Sequence, residues 1–525
     1  MESADSVKIP VLNMDNSKWV AFDDALGFFA ELKRAGDTIV QCHGTFDLLH
    51  PGHVIHLEEA SSFGDRLVVT LTAEEHVNKG PGRPYFNDEL RVKFLSSLQC
   101  VDYVVVIPFP AAVEAIEAVQ PNYYCKGKEY SDSENDATGN IDDDIAAVAR
   151  VGGDIRFIGS VVFSSTRLLN NFYQTSSPEV KLFCQELSKS CSPDRFRELV
   201  EAFSELKVLV IGDIIFDRYT TVNVQGLTSK GKVVSTRMIE EETQPGGALA
   251  VFRHIREFTE HVKLLSIVGK EPWLEEALTE YVPPENDEIL RLPDFTTIVK
   301  QRFIEPQALG KEINKLFSVN HIDSQHPNGM TQKMICERLQ RQIKNFDLVL
   351  VMDFGHGVMQ AMVREMVQEH APFMALNCQT NSNNYGFNLI NNKYRRADSF
   401  TVDTAEMMLA AGNKSCVIED ELKTLRTHLG AEYGWLTRGG DKTVGINDND
   451  ESCGLDALEQ TVIDTVGAGD AFCALASMGA ASGLSLEMST FMGQLGGSLA
   501  VGIVGNREPI EKSKILKGGM SLLTY

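Results

Sequence analysis

The chain has 525 residues, of which 43% are hydrophobic and 23% charged, a composition that excludes wholesale disorder. Because one hydrophobic core rarely serves so long a chain, we expect two or three domains. The formal net charge of -24 argues against a nucleic-acid partner, since such proteins neutralise phosphates with clustered Lys and Arg, whereas small anionic ligands stay compatible with it.

The cysteines indicate a reducing compartment, and the apolar runs predict neither a signal peptide nor a membrane span. The ten cysteines are scattered and form no C-x-x-C pair, so neither a zinc site nor a disulfide framework is expected. The N-terminus lacks a basic start followed by an apolar stretch, and no apolar run approaches the ~20 residues of a membrane span. We therefore expect a cytoplasmic protein with no membrane partner.

The first predicted elements alternate between strands and helices. From Thr38 to about Ile158, apolar runs such as TIVQC and DRLVVTL are separated by helix-like stretches such as VIHLEEASSFG. That alternation predicts βαβ units around a parallel sheet. The acidic stretch SDSENDATGNIDDD (131 to 144) in this region is interpreted as a solvated loop rather than a cation site.

Two histidines stand at the start of a predicted helix, in the segment HGTFDLLHPGH (His43 to His53). Pro51 suits the first helical turn, and His50 and His53 are three apart, so they share a face near a helix N-terminus that favours phosphate. Two imidazole donors there would hold a triphosphate and stabilise the charge that develops as its α-phosphorus is attacked. The alternatives are surface histidines, or a metal site that includes His43 and His56.

This segment resembles the signature of the cytidylyltransferase-like nucleotidylyltransferase superfamily, and KGPGRP, KGKEY and FSSTRLL follow in that family's order. The resemblance covers about Thr38 to Asn170 and implies a Rossmann-like fold that uses Mg²⁺ with ATP or CTP. No general base is needed, because the attacking group is already a phosphate. The resemblance implies three catalytic residues, which are His50, His53 and Lys79. The residues that it implies for binding nucleotide or phosphate are Gly44, Phe46, Lys126, Ser165 and Thr166.

Turn signals separate this region from a second one. Residues 176–205 contain Ser-Ser-Pro and Ser-Pro-Asp, and we interpret them as the linker between domains 1–175 and 206–525. A second run of strand-like and helix-like segments begins at KVLVIGDIIFD (Lys207 to Asp217) and continues to a helix-rich end.

The segment GLTSKGK (Gly226 to Lys232) satisfies the spacing of a P-loop but is interpreted differently. Val233 stands where a P-loop needs a Ser or Thr hydroxyl for Mg²⁺, and no apolar strand precedes the segment. A lid over a sugar site is favoured instead, with Lys230 or Lys232 facing a substrate phosphate.

The segment DTVGAGDAF (Asp464 to Phe472) places small residues before an aspartate and a predicted helix. Asp470 would accept the proton of an attacking hydroxyl. The alternative is a helix-capping turn without catalysis. The backbone amides that would form an anion hole for a transferring phosphoryl group are those of Val466, Gly467, Ala468 and Gly469.

Over about Lys207 to Gly505 the sequence resembles the ribokinase (PfkB) family of carbohydrate kinases, through GDIIFDRY, PGGA, DFGHGV and the GAGD turn. The resemblance implies a ribokinase-like fold, Mg²⁺ with ATP, and Asp470 as a catalytic residue. Its sugar-binding and metal-binding residues would be Asp213, Asp217, Gly246 and Gly247 for the sugar, and Glu406 for the metal. Together the two halves are similar to the bifunctional heptose-phosphate kinase and heptose 1-phosphate adenylyltransferase, with the domain order reversed.

The second half departs from its family's pattern on the substrate side. Ala250 stands at the position of a sugar-binding asparagine, Asp403 begins the segment that matches N-x-x-E, and LNCQTNSNN (Leu376 to Asn384) replaces D-P-K. Since a site built to bind a hydroxyl discriminates strongly, these changes alter which sugar is accepted. A heptose is therefore only one candidate.

The overall expectation is an α/β protein of two doubly wound domains that makes an activated nucleotide sugar. It would phosphorylate a sugar or sugar phosphate and couple a sugar 1-phosphate to a nucleotide, releasing pyrophosphate. Its partners would be small-molecule substrates, and a homodimer is compatible with the sequence. Two rivals stay open, a transferase for a non-sugar phosphate such as glycerol 3-phosphate and a transferase regulated by an inactive kinase-like domain. The intact GAGD segment argues against the second.

Overall fold

The computed structural model describes residues 18–77, 84–128, 140–158, 177–305, 313–322, 327–459 and 462–524. The chain divides into two compact units, one of residues 1–175 with 524–525 and one of residues 176–523. Each unit contains a parallel sheet with helices packed on it. The predicted α/β class is therefore confirmed.

The first unit is built on a five-stranded parallel sheet with strand order β3-β2-β1-β4-β5. Its strands are β1 (Ile39–Gly44), β2 (Arg66–Thr72), β3 (Tyr103–Ile107), β4 (Tyr123–Gly127) and β5 (Asp154–Ile158). Its helices are α1 (Phe22–Ala35), α2 (Pro51–Ser61), α3 (Asp88–Ser96), α4 (Val113–Val119) and α5 (Asn140–Arg150).

Both faces of this sheet are covered, which explains the continuous apolar runs of the sequence. Successive residues of a strand point to opposite faces. Val69 of β2 accordingly belongs to a core cluster with Leu57 of α2 and Leu95 of α3. Val68 belongs to a different cluster, with Phe29 of α1 and Ala115 of α4.

The second unit contains an eight-stranded sheet with the order β19-β18-β17-β16-β15-β14-β6-β9. Six neighbouring strands from β9 to β17 run parallel, β18 pairs antiparallel with β17, and β19 pairs antiparallel with β18. The strands are β6 (Val208–Gly212), β9 (Val262–Leu265), β14 (Leu348–Asp353), β15 (Met374–Cys378), β16 (Ser399–Asp403), β17 (Tyr433–Thr437), β18 (Lys442–Asn447) and β19 (Ser452–Asp456).

A smaller four-stranded sheet, which we call the lid sheet, has the order β13-β12-β7-β8. Its strands are β7 (Ile214–Leu227), β8 (Val234–Gly247), β12 (Ile298–Glu305) and β13 (Asn314–His321). A two-stranded pair, β10 (Ile267–Val268) and β11 (Leu290–Arg291), lies apart from it. GLTSKGK forms the tip of the β7–β8 hairpin, so no helix follows it as a P-loop requires.

The first two helices of the second unit lie within the segment predicted as the linker. The helices of this unit are α6 (Pro178–Ser190), α7 (Pro193–Glu201), α8 (Ala248–Arg256), α9 (Leu274–Tyr281), α10 (Gly329–Gln342), α11 (Ala361–His370), α12 (Ile390–Lys393), α13 (Thr404–Ala411), α14 (Ile418–Leu429), α15 (Ala468–Ala481), α16 (Leu486–Ala500) and α17 (Lys512–Leu522).

The Ser-Pro signals that suggested a linker are helix starts. The Ser177 hydroxyl accepts a hydrogen bond from the Val180 amide at 3.2 Å, and Ser192 accepts one from the Arg195 amide at 3.2 Å, which are N-cap bonds. Phe196 of α7 is fully buried, and its ring centroid lies 5.8 Å from that of Phe491. Residues 177–205 therefore fold as part of the second unit.

The end of the acidic stretch corrects the prediction of a solvated loop. Residues 140–144 belong to α5, and Asp144 is buried with an ion pair to Lys126. A carboxylate that is buried and paired belongs to the packed interior and not to a solvated loop. Residues 131–139 lie outside the described part of the chain.

Disulfides, clusters of metal-ligating side chains and membrane-spanning helices are not found among the described residues. All ten cysteines carry free thiols. Within the described ranges, no group of three metal-ligating side chains is found, and none of the helices there has the length and apolar character to cross a bilayer.

Candidate active sites

The first candidate site lies where the strand order of the first unit reverses, between β1 and β4. In open parallel sheets the connections diverge at such a point and leave a crevice at the carboxyl ends of the strands. β1 ends at Gly44 and β4 at Gly127. His43, Gly44 and Lys126, all singled out from sequence, are therefore brought to this crevice.

Helix α2 begins at this crevice as predicted, with Pro51 as its first residue and His50 as its N-cap. The His50 and His53 rings stack, with centroids 3.9 Å apart and planes 19° apart. The His50 Nδ1 atom accepts a hydrogen bond from the His53 amide at 3.4 Å. Capping by an imidazole fixes both rings at the positive end of the helix.

Phe46 supports these rings from the side. Its backbone has a φ of +47°, and its ring centroid lies 5.4 Å from that of His53. A Cβ atom at Gly44 would come within 3.2 Å of the Phe46 ring. Gly44 and Phe46 therefore shape the loop around His53.

Burial favours the neutral form of two imidazoles at this site, those of His43 and His50. Burial, with a further effect of Lys126, lowers the pKa of His43 to about 3, and its ring nitrogens lie 3.0 Å from Thr70 Oγ1 and 3.3 Å from Thr72 Oγ1. Burial also lowers the pKa of His50. Neutral imidazoles can donate a hydrogen bond to a phosphate oxygen without requiring acidic pH.

Two further residues of the first unit hold the His50 loop, and neither was assigned from sequence. Arg91 is fully buried, donates to the Thr45 carbonyl at 2.7 Å, and pairs with Asp88. Asp47 Oδ1 accepts from the amides of Tyr85 at 2.7 Å and Phe86 at 3.0 Å. The predicted site residues Lys79, Ser165 and Thr166 lie outside the described residues.

The second candidate site is a cavity of about 290 Å³ in the second unit, between the lid sheet and the large sheet. Its wall combines segments that are far apart in sequence, from Ile215 to Asn506. The predicted residues that line it are Asp217, Gly247, Glu406, Val466, Gly467, Gly469 and Asp470.

Asp470 has the environment of a general base. Burial raises its pKa to about 7, the Asp217 carboxylate raises it as well, and a hydrogen bond from Gln379 and the charge of Lys300 oppose the rise. The Gln379 Nε2 atom lies 2.8 Å from Asp470 Oδ1. A base of this pKa is ionised in a substantial fraction at neutral pH and still has the basicity to accept a proton.

The turn before Asp470 supplies fewer amides than predicted. Gly467 has a φ of +86° and is the N-cap of α15, and the Gly467 and Gly469 amides have no protein acceptor among the described residues. The Val466 amide instead donates to Asp464 Oδ1 at 3.1 Å, and Ala468 donates to the Thr465 carbonyl at 3.4 Å. The candidate anion hole is therefore centred on the two glycines.

Asp213, predicted to bind sugar, does not line the cavity. It is buried, and its carboxylate accepts hydrogen bonds from the amides of Phe354, His356 and Val358, each at 3.1 Å. Three backbone donors occupy it, so its role is to hold the 353–358 turn. Gly246 is also outside the lining, but a Cβ there would lie 2.3 Å from Asp217 Oδ2, so its lack of a side chain leaves room for Asp217.

Glu406, predicted to bind metal, is tied to the start of α13. Its carboxylate accepts from the amides of Asp403 at 2.9 Å and Thr380 at 3.1 Å, and with Asp403 it forms a capping box. Burial, followed by the Asp403 charge, raises its pKa to about 8. A buried carboxylate of raised pKa gains from a nearby cation.

Two cations in this cavity were missed by the sequence reasoning. Lys300 and Arg302 lie on β12, two residues apart, and so project to the same face of the lid sheet. Arg302 pairs with Asp217 at 2.6 Å. Lys300 forms no ion pair among the described residues, and its Nζ lies 5.8 Å from the Phe354 ring centroid. The lysines at the hairpin tip, Lys230 and Lys232, are exposed and do not line the cavity.

A second cavity of about 300 Å³ adjoins the first and shares Asp403, Thr437, Thr465 and Gly469 with it. Ala468 lines this one. Phe472, Val462 and Val501 make its wall more apolar. Two adjoining spaces that meet at the glycine turn suit two reactants, one with an apolar planar part and one with polar groups.

Comparisons with known proteins match a family model to part of each unit. A cytidylyltransferase-like family model matches residues 42–181, and a pfkB family carbohydrate kinase model matches residues 388–513. Both resemblances predicted from the motifs are confirmed, with the transferase-like domain ahead of the kinase domain.

Among curated proteins, the chain resembles the Bifunctional protein HldE of Methylococcus capsulatus, with 36% identity over 153 residues, which are 29% of this chain and 31% of the relative. HldE of Aliarcobacter butzleri is 38% identical over 141 residues, 26% of this chain and 29% of the relative. The matches lie in the N-terminal region and span less than a third of these relatives.

Among solved structures, phosphofructokinase-2 from Escherichia coli with substrates and products is similar, at 13% identity and a TM-score of 0.48, over 60% of this chain and 99% of that chain. Ribokinase from Thermotoga maritima is similar at 15% identity and a TM-score of 0.45, over 59% of this chain and 98% of that chain.

Proposed function

Because the chain joins a cytidylyltransferase-like domain to a pfkB-type carbohydrate kinase domain, we propose that it is a bifunctional enzyme that makes an activated nucleotide sugar. The second unit phosphorylates a sugar or sugar phosphate with ATP. The first unit transfers a nucleotidyl group from ATP or CTP to a sugar 1-phosphate and releases pyrophosphate. We place the domain boundary at residues 175/176, since α6 and α7 fold with the second unit.

The observation that carries the kinase half is Asp470 beside the glycine turn. Its carboxylate takes the proton of the acceptor hydroxyl while that oxygen attacks the γ-phosphorus. The amides of Gly467 and Gly469 receive the charge of the transferring phosphoryl group at the N-terminus of α15. The adjoining apolar cavity takes the nucleotide, and the cavity with Asp217 takes the acceptor.

The donor set is compatible with Mg²⁺ held mainly by the nucleotide. Mg²⁺ in kinases is bound through one or two carboxylates together with substrate phosphates and water. Glu406 fits this role, because it lines the cavity and its burial destabilises an uncompensated charge. The ion would neutralise phosphate charge. Asp470 deprotonates the acceptor hydroxyl, and the Gly467 and Gly469 amides orient the phosphoryl group.

A phosphorylated acceptor is favoured over a free sugar by Lys300. The side chain is mostly enclosed, burial lowers its pKa, and it forms no ion pair among the described residues. A cation removed from water is stabilised by an anionic partner. Together with Arg302 it can hold a phosphate already present on the acceptor.

The transferase half rests on the paired imidazoles at the start of α2. His50 and His53 donate to phosphate oxygens of the triphosphate as the acceptor phosphate attacks the α-phosphorus, and pyrophosphate leaves. Lys126, held by Asp144, adds positive charge at the end of β4. Lys79, Ser165 and Thr166 complete the phosphate contacts in this proposal.

The test measures both reactions with the full chain. Pyrophosphate release is followed with ATP or CTP and a panel of sugar 1-phosphates and glycerol 3-phosphate, and phosphoryl transfer is followed with free sugars and sugar phosphates. We expect turnover only with sugar-type acceptors in each assay. Pyrophosphate release with glycerol 3-phosphate alone, or ATP binding without any phosphoryl transfer, would contradict the proposed function.

The Lys300 contact is tested within the same panel. Lys300→Met should raise the KM for a phosphorylated acceptor about tenfold or more, because one charge-assisted hydrogen bond is lost, and should leave the KM for a free sugar within about threefold of wild type. Lys230→Met, at the exposed hairpin tip, is the matched control and should change neither. Equal effects of both variants would assign the phosphate contact to the tip instead.

A further inference from the structure

Asp464, the first residue of the DTVGAGD turn, is a fully buried carboxylate with four hydrogen-bond donors around it. The donors are Lys315 Nζ at 2.6 Å, Tyr219 Oη at 2.8 Å, the Gly505 amide at 3.0 Å and the Val466 amide at 3.1 Å. Two of them are backbone groups of the segments that form the catalytic turn and its support. A buried carboxylate with this many donors is held rigidly.

Three of the four strands of the lid sheet, or the residue next to them, contact this region. Tyr219 belongs to β7 and Lys315 to β13. The Ile313 amide, just before β13, donates to the Ile463 carbonyl at 2.9 Å, and Gln244 of β8 accepts from the Asn506 amide at 3.1 Å. The lid sheet is therefore anchored to Asp464, to Ile463 beside it, and to Asn506, on which Gly467 packs.

Movement at Asp464 would reach the anion hole directly. Asp464 fixes the Val466 amide, which immediately precedes Gly467. Gly467 in turn packs so closely on Asn506 that a Cβ on it would lie 2.2 Å from Asn506 Oδ1. Asp464 is therefore linked to Gly467 on two sides, through the Val466 amide and through the Gly505 amide next to Asn506.

Lys315 supplies the charge that this arrangement requires. Burial, with the nearby Asp464 charge, raises the pKa of Tyr219 well above its usual range, so Tyr219 is a neutral donor. In the described part of the chain, Lys315 is the cation in ion-pair contact with Asp464. A carboxylate left buried without its cation either takes up a proton or moves towards water.

We propose that Lys315 is a positioning residue for phosphoryl transfer, whose ion pair with Asp464 locks the lid sheet to the glycine turn and holds the turn's amides for the transition state. This inference rests on the proposed kinase function. Lys315 itself does not line the acceptor cavity, so it acts through Asp464. The expected signature is a loss in kcat with little change in the KM for ATP.

The experiment compares four variants of the full chain. Lys315→Met removes the ammonium, Lys315→Arg keeps a cation, and Lys315→Ala leaves space for added methylammonium. Arg507→Met is the matched control, because Arg507 pairs with Glu242 of the same lid sheet without touching Asp464. Each is assayed for kcat and KM, for thermal melting, and for hydrogen–deuterium exchange of residues 462–472.

We expect Lys315→Met to lower kcat about tenfold or more, since small misplacements of catalytic groups are costly, with KM for ATP within about threefold. Lys315→Arg should restore at least half of the activity, and methylammonium should raise the kcat of Lys315→Ala severalfold. Arg507→Met should keep kcat within about threefold. An equal loss in Arg507→Met, or no response to arginine and methylammonium, would overturn the proposal.

Hydrogen exchange separates this inference from the proposed function. Faster exchange of residues 462–472 in Lys315→Met, but not in Arg507→Met, supports the coupling even if the wild-type chain phosphorylates none of the acceptors, in which case the kinase proposal alone fails. Unchanged exchange in Lys315→Met would overturn the coupling whether or not the wild-type chain is active. If Lys315→Met does not fold, Lys315→Arg and Lys315→Ala with methylammonium decide the outcome by the same measurements.

Discussion

The two candidate sites are assembled over very different distances along the chain. In the first unit the described site residues come mostly from one strand, one loop and one helix start, between His43 and His53, with Lys126 from the neighbouring strand. In the second unit the cavity draws on segments from Ile215 to Asn506. The first is a local structure on a sheet edge, whereas the second exists only when two sheets are brought together.

The two candidate sites also differ in how their surroundings shift the pKa values of their side chains. The first site presents imidazoles whose ionisation is suppressed, as burial lowers the pKa of His43 and His50. Burial at the second site raises the pKa of two carboxylates, Asp470 and Glu406, and Lys300 and Arg302 line the same cavity. Neutral donors suit a reaction whose nucleophile is already a phosphate, while a carboxylate of raised pKa suits one whose hydroxyl nucleophile must lose a proton.

The largest effect that separates the sites is expected from Asp470→Asn. The change keeps the size of the side chain but removes its basicity, so phosphoryl transfer should fall by at least about a hundredfold while ATP affinity changes little. Nucleotidyl transfer by the same protein should continue unchanged. Asp441→Asn, at an exposed position, is the control, and a melting curve checks folding. Near-normal phosphoryl transfer in Asp470→Asn would reduce the GAGD segment to a helix cap.

The reciprocal change is His53→Ala, which should lower nucleotidyl transfer by about a hundredfold, the scale of one preorganised donor. Phosphoryl transfer should be unaffected. His76→Ala, elsewhere in the same unit, is the control. Pyrophosphate release is the measurement, and a His53→Ala value within about threefold of wild type would remove His53 from the site.

The pH dependence sharpens the comparison with a smaller effect. A base with a pKa of about 7 is about a tenth ionised at pH 6 and nine tenths ionised at pH 8, so the kcat of phosphoryl transfer should rise roughly tenfold across this range. Nucleotidyl transfer should change by less than about threefold, because burial lowers the pKa of His43 to about 3 and also lowers the pKa of His50. Two parallel profiles would mean that the difference in electrostatics has no catalytic consequence.

The same profile tests Gln379, whose effect should be the smallest. Its amide donates to Asp470 and favours the ionised carboxylate, so Gln379→Leu should move the midpoint of the phosphoryl-transfer profile to higher pH and cost a few-fold in kcat at pH 7. The nucleotidyl-transfer profile is the internal control. A lower kcat with an unmoved midpoint would show that Gln379 serves only packing.

Sequence patterns predicted the elements well where the cause is local. The apolar runs of parallel strands, the start of α2 at Pro51, and the left-handed Gly467 before α15 all depend on neighbours within a few residues. Local patterns misled at residues 176–205, because Ser-Pro marks both a turn and a helix start. Burial of Phe196 against α16 decides between the two readings.

Residue roles were harder to predict, as Asp213 and Asp217 illustrate. They are four residues apart in one motif, yet Asp213 accepts three amides of the 353–358 turn and Asp217 faces the cavity. A crossing of the chain more than a hundred residues later determines that difference. Motif resemblance selects both residues but does not separate their roles.

By itself, the sequence determined the fold class, the order of the two domains and the local frames that present His50, His53 and Asp470, because periodicity, capping and small residues act over one or two turns. Only the tertiary structure decided that Lys300 and Arg302 line the same cavity as Asp470, that Gln379 donates to Asp470, and that Lys315 reaches Asp464. The hydrogen bonds of Gln379 and Lys315 join residues that lie 91 and 149 positions apart in the chain. The pKa values follow from the same packing, since desolvation and neighbouring charge arise only when the segments meet.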